Sequence, residues 1–121
     1  MARWIDVCSI DDLQPDSGVC ALVEGRQVAI FSIPEQLAVK VYAIGNYDPF
    51  GKANVLSRGL CGDINGQPVV SSPLYKQHFN LDTGVCLEDE TVTIPAYPVR
   101  IENGSVQVDL SSLPLHGEPA L

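Results

Sequence analysis

The chain has few basic residues: seven lysines and arginines stand against fifteen acidic residues, giving a formal net charge of −8. A negative balance of this size repels phosphate backbones and anionic lipid surfaces, because like charges repel within about one Debye length, about 8 Å at physiological salt. Nucleic acid and membranes are therefore not expected as partners. A basic face on another protein remains compatible with the charge.

Long apolar runs are missing, and so is an apolar start. No stretch of the sequence has the length of a membrane span. The first residues, Met1-Ala2-Arg3-Trp4-Ile5-Asp6, place charges where a signal peptide carries its apolar region. These features predict a cytoplasmic protein in a reduced setting, in which cysteines are not expected to form disulfides.

Groupings of metal-binding residues are also scarce. Cys8, Cys20, Cys61 and Cys86 include no Cys-x-x-Cys pair, and they are interpreted as small buried residues or idle thiols. The two histidines, His78 and His116, cannot form a catalytic triad or a metal site by their spacing. The acidic run at 88–90 is interpreted as a solvated turn rather than a cation site.

What the sequence does contain is a series of short strands separated by turn residues. At 121 residues and 45% hydrophobic, the chain is large enough for one domain with its own core. Apolar runs at 19–23 and 28–32 flank Glu24-Gly25-Arg26-Gln27 and predict a hairpin, and 38–45 forms a third strand. This spacing is typical of a small sandwich or barrel.

The second half of the chain continues the strand pattern. An Asn65-Gly66 turn leads into a short strand at Val69-Val70, and further strands are expected beyond residues 77–79, with 82–84 turning into Cys86-Leu87. Segments 97–102 and 105–110 predict a hairpin across Asn103-Gly104. One short helical turn is predicted at 9–13, with Ser9 as its cap and Asp12 reaching back. The domain is predicted to span 1–110 and to be followed by a loose tail at 111–121; no internal repeat is evident.

Segment 71–84 resembles the second ligand box of Rieske [2Fe–2S] domains, in which Cys-Pro-x-His runs on through an aromatic residue into Asp-Leu-x-Thr-Gly. Ser72 occupies the cysteine place and Tyr75 the histidine place. In the upstream segment that resembles the first box, Asp48 stands for cysteine and Phe50 for histidine. All four cluster ligands are therefore absent.

The missing ligands argue against a bound cluster. A Rieske centre holds one iron by two thiolates and the other by two imidazoles, whereas Phe50 offers no donor atom and the other residues offer only hard oxygen. We expect no cofactor, metal or catalytic residue in this chain. The resemblance covers roughly residues 4–110 and implies an all-β, Rieske-like iron–sulfur-protein fold, a small antiparallel sandwich or barrel with two loops at the degenerate cluster site.

Within that superfamily the sequence resembles the small subunits of cytoplasmic assimilatory NAD(P)H-dependent nitrite reductase. The matching stretches are 47–50 and 72–79. The resemblance implies a large-subunit partner that carries FAD, sirohaem and [4Fe–4S], and a joint reduction of nitrite to ammonium. It leaves open whether NADH or NADPH is the electron donor, because that choice is made in the other chain.

The role implied for this chain is non-catalytic. The two loops would dock on the large subunit with Tyr47, Phe50 and Tyr75 at their tip, since aromatic residues are favoured interface anchors. An equally weighted alternative is that these aromatics plug the space left by the cluster. A stand-alone protein-binding module on the same scaffold is the alternative function, because fold alone does not fix function.

Overall fold

The computed structural model describes residues 3–35 and 38–111, which form short antiparallel strands with two single-turn 3₁₀ helices, Ile10–Asp12 and Leu56–Arg58. The strands are β1 (Trp4–Ser9), β2 (Gly18–Val23), β3 (Arg26–Pro34), β4 (Val39–Gly45), β5 (Tyr47–Asp48), β6 (Ala53–Asn54), β7 (Leu60–Ile64), β8 (Gln67–Ser71), β9 (His78–Asn80), β10 (Ala96–Tyr97), β11 (Val99–Glu102) and β12 (Ser105–Asp109). The predicted all-β class is confirmed.

A four-stranded sheet, in the order β10-β4-β3-β2, lies at the centre of the fold. Its inner strands bury both faces because successive side chains point to opposite sides. Val28 and Ile30 enter one core together with Val106 of the β1-β12-β11 sheet. Ala29 and Phe31 enter a second core together with residues of the β7-β8-β9 sheet. The second core lies next to the loops that resemble the ligand boxes.

Three predicted tight turns are present and share one geometry. Both central residues have positive φ in the Glu24-Gly25, Asn65-Gly66 and Asn103-Gly104 turns, which is the type I′ arrangement favoured in two-residue hairpins. They join β2 to β3, β7 to β8 and β11 to β12. The predicted helical turn is present as the first 3₁₀ helix, with the reciprocal Ser9–Asp12 capping box.

Two strand predictions were wrong in their extent. Segment 97–102 is interrupted at Pro98, so that Tyr97 pairs with Ala43 of β4 whereas Val99 pairs with Val108 of β12. Proline has no N–H to donate to a ladder, which ends one pairing and lets the chain change sheets. Cys86-Leu87 is not a strand, since Cys86 makes only an isolated bridge to Phe79. Apart from Ser111, the predicted tail lies outside the described residues.

Candidate functional site

The first loop that resembles a ligand box is a tight turn between β5 and β6. Its first residue, Asp48, is fully buried. The Asp48 carboxylate accepts a hydrogen bond from the backbone N–H of Phe50 at 2.9 Å. The Asp48 carbonyl accepts another from the backbone N–H of Lys52 at 2.7 Å. One residue at the former cysteine place therefore organises the whole turn.

The second loop, between β8 and β9, is organised in the same way by Ser72. This residue is also fully buried. Its hydroxyl oxygen accepts a hydrogen bond from the backbone N–H of Leu74 at 3.2 Å, and its carbonyl accepts one from the backbone N–H of Lys76 at 3.2 Å. The backbone N–H of Ser72 donates to the Gln77 carbonyl at 2.9 Å, which closes the loop at its base.

Segments 48–52 and 72–76 are thus two copies of one five-residue turn, which sequence inspection missed. Each begins with the residue at a former cysteine place, continues with proline and ends with a lysine. The terminal lysines both adopt left-handed backbone geometry, with φ of 56° at Lys52 and 66° at Lys76. The available signal was a proline and a lysine at the same spacing in both boxes, too little by itself to indicate a repeat.

The two turns are joined through their first residues. The Ser72 hydroxyl donates a hydrogen bond to the Asp48 carboxylate, with 2.5 Å between the oxygens. A second contact lies nearer the surface, where Leu74 crosses directly over Gly51. A Cβ atom at Gly51 would lie 2.4 Å from Leu74 Cδ1, so the glycine permits this close approach. The loops therefore form one interlocked tip.

The residues at the four ligand places do not fit a [2Fe–2S] cluster. In a Rieske centre the two cysteine places hold one iron between them, whereas here Asp48 and Ser72 hydrogen-bond to each other directly. Phe50 has no lone pair, and the phenol of Tyr75 is a hard donor poorly suited to sulfide-bridged iron. The hydrogen bond thus links the two loops that a cluster links in Rieske centres.

The three aromatic residues at the tip have different environments. Phe50 is half-buried and packs against the second core, with its ring centroid 6.2 Å from that of Phe79. Tyr47 is half-buried in β5. Tyr75 is 64% exposed. Phe50 therefore has the contacts of a core filler, and Tyr75 has the exposure that a docking residue requires.

His78 and the acidic run are also engaged with each other. One Glu88 carboxylate oxygen accepts the His78 backbone N–H and the other lies against His78 Nδ1, both at 2.7 Å. Partial burial acts to raise the pKa of Glu88, but the hydrogen bonds from His78 outweigh it and lower that pKa below the ordinary 4.5. Asp89 accepts hydrogen bonds from Thr91. The acidic run is therefore a turn that is hydrogen-bonded within itself and to His78 of β9.

The four cysteines are free thiols in separate parts of the chain, and Cys86 is the buried one. Burial raises the pKa of each thiol, and that of Cys61 to about 11, where the Asp16 carboxylate adds to the effect. Thiols with raised pKa values carry little of the thiolate that reacts or binds metal.

Among residues 3–35 and 38–111, no group of three or more His, Cys, Asp or Glu side chains is placed to hold a metal ion. Within the same residues no helix is long and apolar enough to cross a membrane.

Comparison with known proteins places this geometry in a family. Residues 3–109 match the family model of the Rieske-like [2Fe–2S] domain. The small subunit of NADH nitrite reductase from Escherichia coli is 46% identical over 108 residues, which cover 89% of this chain and 98% of that protein. The solution structure of the nitrite reductase [NAD(P)H] small subunit from Erwinia carotovora superimposes with a TM-score of 0.76 at 43% identity, covering 100% of this chain and 92% of that one.

A further relative is much longer than this chain. The nitrite reductase [NAD(P)H] large subunit of Klebsiella oxytoca is 42% identical over 105 residues, which cover 87% of this chain but 11% of that protein. That large subunit therefore contains a region similar to almost all of the chain. The predicted Rieske-like fold is confirmed, and the chain belongs to the Rieske-like [2Fe–2S] domain family and, within it, to the small subunits of NADH-dependent nitrite reductase.

Proposed function

We propose that the chain is a cluster-free accessory subunit of a cytoplasmic, assimilatory nitrite reductase, and that it docks on a large subunit through its two interlocked loops. The large subunit carries FAD, sirohaem and [4Fe–4S], and the complex reduces nitrite to ammonium with electrons from NADH. The chain itself supplies protein contacts and no catalytic group.

The observation that carries this proposal is the match to the Klebsiella oxytoca large subunit. A region similar to this chain makes up 11% of that polypeptide. In that protein a continuous backbone therefore connects the similar region to the rest of the large subunit. Covalent linkage keeps two partners at a high effective concentration. A separate small subunit needs a docking surface in place of the linkage, and the fusion favours one copy for each large subunit.

The chemistry of the former cluster site supports the accessory role. Reduction of nitrite to ammonium needs cofactors that store and deliver electrons, because side chains do not. Asp48 and Ser72 offer oxygen atoms that are already engaged with each other. The electron path is therefore assigned to the large subunit alone, and this chain acts through binding.

The exposure of the tip residues supports contact with the large subunit at Tyr75, and it supports a space-filling role beside the second core at Phe50. A tyrosine that is 64% exposed can bury a large area on binding while few rotatable bonds are frozen. Phe50 already packs on Phe79. The two interpretations of the tip aromatics thus apply to different residues: Phe50 fills the space beside the core, and Tyr75 faces the partner.

Co-purification tests the proposed assembly. The chain carries an affinity tag and is produced with and without the large subunit from the same organism. We expect the tagged chain to elute with the large subunit and with the absorption of its flavin and sirohaem, and to elute without colour when produced alone. A tagged chain that leaves the large subunit behind would instead support the stand-alone binding module.

A further inference from the structure

The tip of the two interlocked loops differs in charge from the rest of the molecule. The chain has a net charge of −8, yet the exposed charged side chains of 47–54 and 72–77 are Lys52 and Lys76. The one carboxylate within these segments, Asp48, is fully buried beneath them and hydrogen-bonded to Ser72. The tip is therefore a small cationic surface on an acidic protein.

Exposed apolar side chains directly precede Lys76 in the second loop, and one of them lies against Gly51, next to Lys52. Leu74 is 46% exposed and Tyr75 is 64% exposed. An exposed tyrosine beside an exposed leucine provides apolar area that can be buried on binding while few rotatable bonds are frozen. We use the name cationic tip for Lys52, Leu74, Tyr75 and Lys76 together.

The fold holds the backbone of the cationic tip in a defined conformation. Each lysine is the last residue of its turn, and its backbone N–H is bonded to the carbonyl of the first residue, Asp48 or Ser72. The Asp48–Ser72 hydrogen bond and the Leu74–Gly51 contact link the two turns. A surface that is ordered before binding loses less conformational entropy when its partner arrives.

We propose that the cationic tip docks into an apolar depression on the large subunit that is rimmed by aspartate or glutamate side chains. Tyr75 and Leu74 enter the depression, and Lys52 and Lys76 face the carboxylates. The inference rests on the proposed function and adds the chemistry of the partner's surface. Its argument is charge complementarity: an acidic patch repels the acidic remainder of this chain and attracts the tip, so the charge distribution also orients the encounter.

The test measures binding of the chain to the purified holo large subunit by titration calorimetry at low, physiological and high salt. The variant Lys52→Glu/Lys76→Glu reverses both tip charges. The matched control is Lys40→Glu, which reverses an exposed lysine on β4 that lies over the Tyr42 ring. The variant Lys52→Arg/Lys76→Arg keeps both charges and controls for changes at these left-handed positions.

We expect the double glutamate variant to weaken binding about tenfold or more at low salt, since like charges would then face each other across the interface. The loss should shrink at high salt because ions screen the rim charges. The arginine variant and Lys40→Glu should bind within about twofold of the unmodified chain.

The remaining outcomes separate the inference from the proposed function. If the unmodified chain binds and the double glutamate variant binds equally well, the inference is overturned and another surface makes the contact, while the subunit assignment stands. A loss of binding free energy for Lys40→Glu that reaches half of the loss for the double variant would also overturn it. Lys40→Glu makes half of the double variant's change in net charge, so such a result would reflect net charge alone. If the unmodified chain does not bind the large subunit at all, the proposed function fails and the inference fails with it.

Discussion

Asp48 and Ser72 occupy places at which related Rieske domains use cysteine to hold iron. In this chain their buried side chains form a hydrogen bond with each other. The bond gives each buried polar group a partner. Leaving such a group without a partner costs about 1–3 kcal/mol. A direct hydrogen bond therefore joins the two loops at the places where a cluster joins them in Rieske centres.

A double-mutant cycle measures the free energy that the Asp48–Ser72 hydrogen bond contributes to folding. Asp48→Ala, Ser72→Ala and the double variant are unfolded in urea, and the coupling free energy is taken from the three changes. We expect each single variant to be destabilised and the coupling to be about 1–3 kcal/mol, because the first substitution already removes the partner of the second. Purely additive losses would mean that the hydrogen bond does not link the loops.

Tyr75→Ala separates binding from folding at the tip. The side chain is 64% exposed, and that of Leu22, at the end of β2, is 73% exposed, which makes Leu22→Ala the matched control. Both variants should change the free energy of unfolding by less than about 0.5 kcal/mol. Binding to the large subunit should weaken about tenfold for Tyr75→Ala and remain unchanged for Leu22→Ala. Unchanged binding by Tyr75→Ala would argue against docking through this residue.

At the scale of elements, local signals account for most of what the sequence predicted. Glycine at the second turn position identified the β2–β3 and β11–β12 hairpins and the turn that leads into β8, since only local backbone geometry is needed there. The two-residue strands β5 and β6 were missed because such a ladder depends on how the first loop folds back. The change of sheets at Pro98 was missed because segments 97–102 and 105–110 give the same alternation for either pairing partner.

Gly84 lies in a turn where both its positive φ and the close approach of another backbone segment require glycine. Its φ is +82°, and an added Cβ would lie 2.0 Å from the Ile94 carbonyl oxygen. Gly104 has a similar φ of +78° but open space around it. We expect Gly104→Ala to lose about 1 kcal/mol from left-handed strain and Gly84→Ala to lose about 2–4 kcal/mol, because the backbone must also shift. Similar losses in urea unfolding for the two variants would contradict the predicted clash.

The hydrogen bonds between Glu88 and His78 predict that the stability of the protein depends on pH. Because the pKa of Glu88 is lowered on folding from 4.5, its contribution is complete above that pH and is lost as the pH falls through the lower value of the folded state. Glu88→Gln removes this linkage. We expect the stability difference between the two proteins to diminish as the pH falls below 4.5, measured by urea unfolding across the acid range. A difference that grows as the pH falls below 4.5 would contradict the predicted sign.

At the scale of the whole molecule, the sequence was sufficient to identify the family and the missing ligands, because both depend on a few residues at fixed spacing. It did not reveal that the two boxes form matching turns or that their first residues meet. It also could not show that Phe50 packs against Phe79 whereas Tyr75 is 64% exposed, since both are aromatic residues in loops of the same kind. Those properties arise only when distant loops are brought together by the two cores.

The most direct test of the central claim is the rate of nitrite-dependent NADH oxidation by the large subunit as this chain is titrated into it, with the iron content and visible spectrum of the added chain recorded beforehand. We predict an iron-free, colourless chain that raises the rate until about one copy is present for each large subunit, because it acts by docking and not by carrying electrons. A chain with the visible bands of [2Fe–2S], or a rate that does not change at any ratio, would contradict a cluster-free accessory subunit.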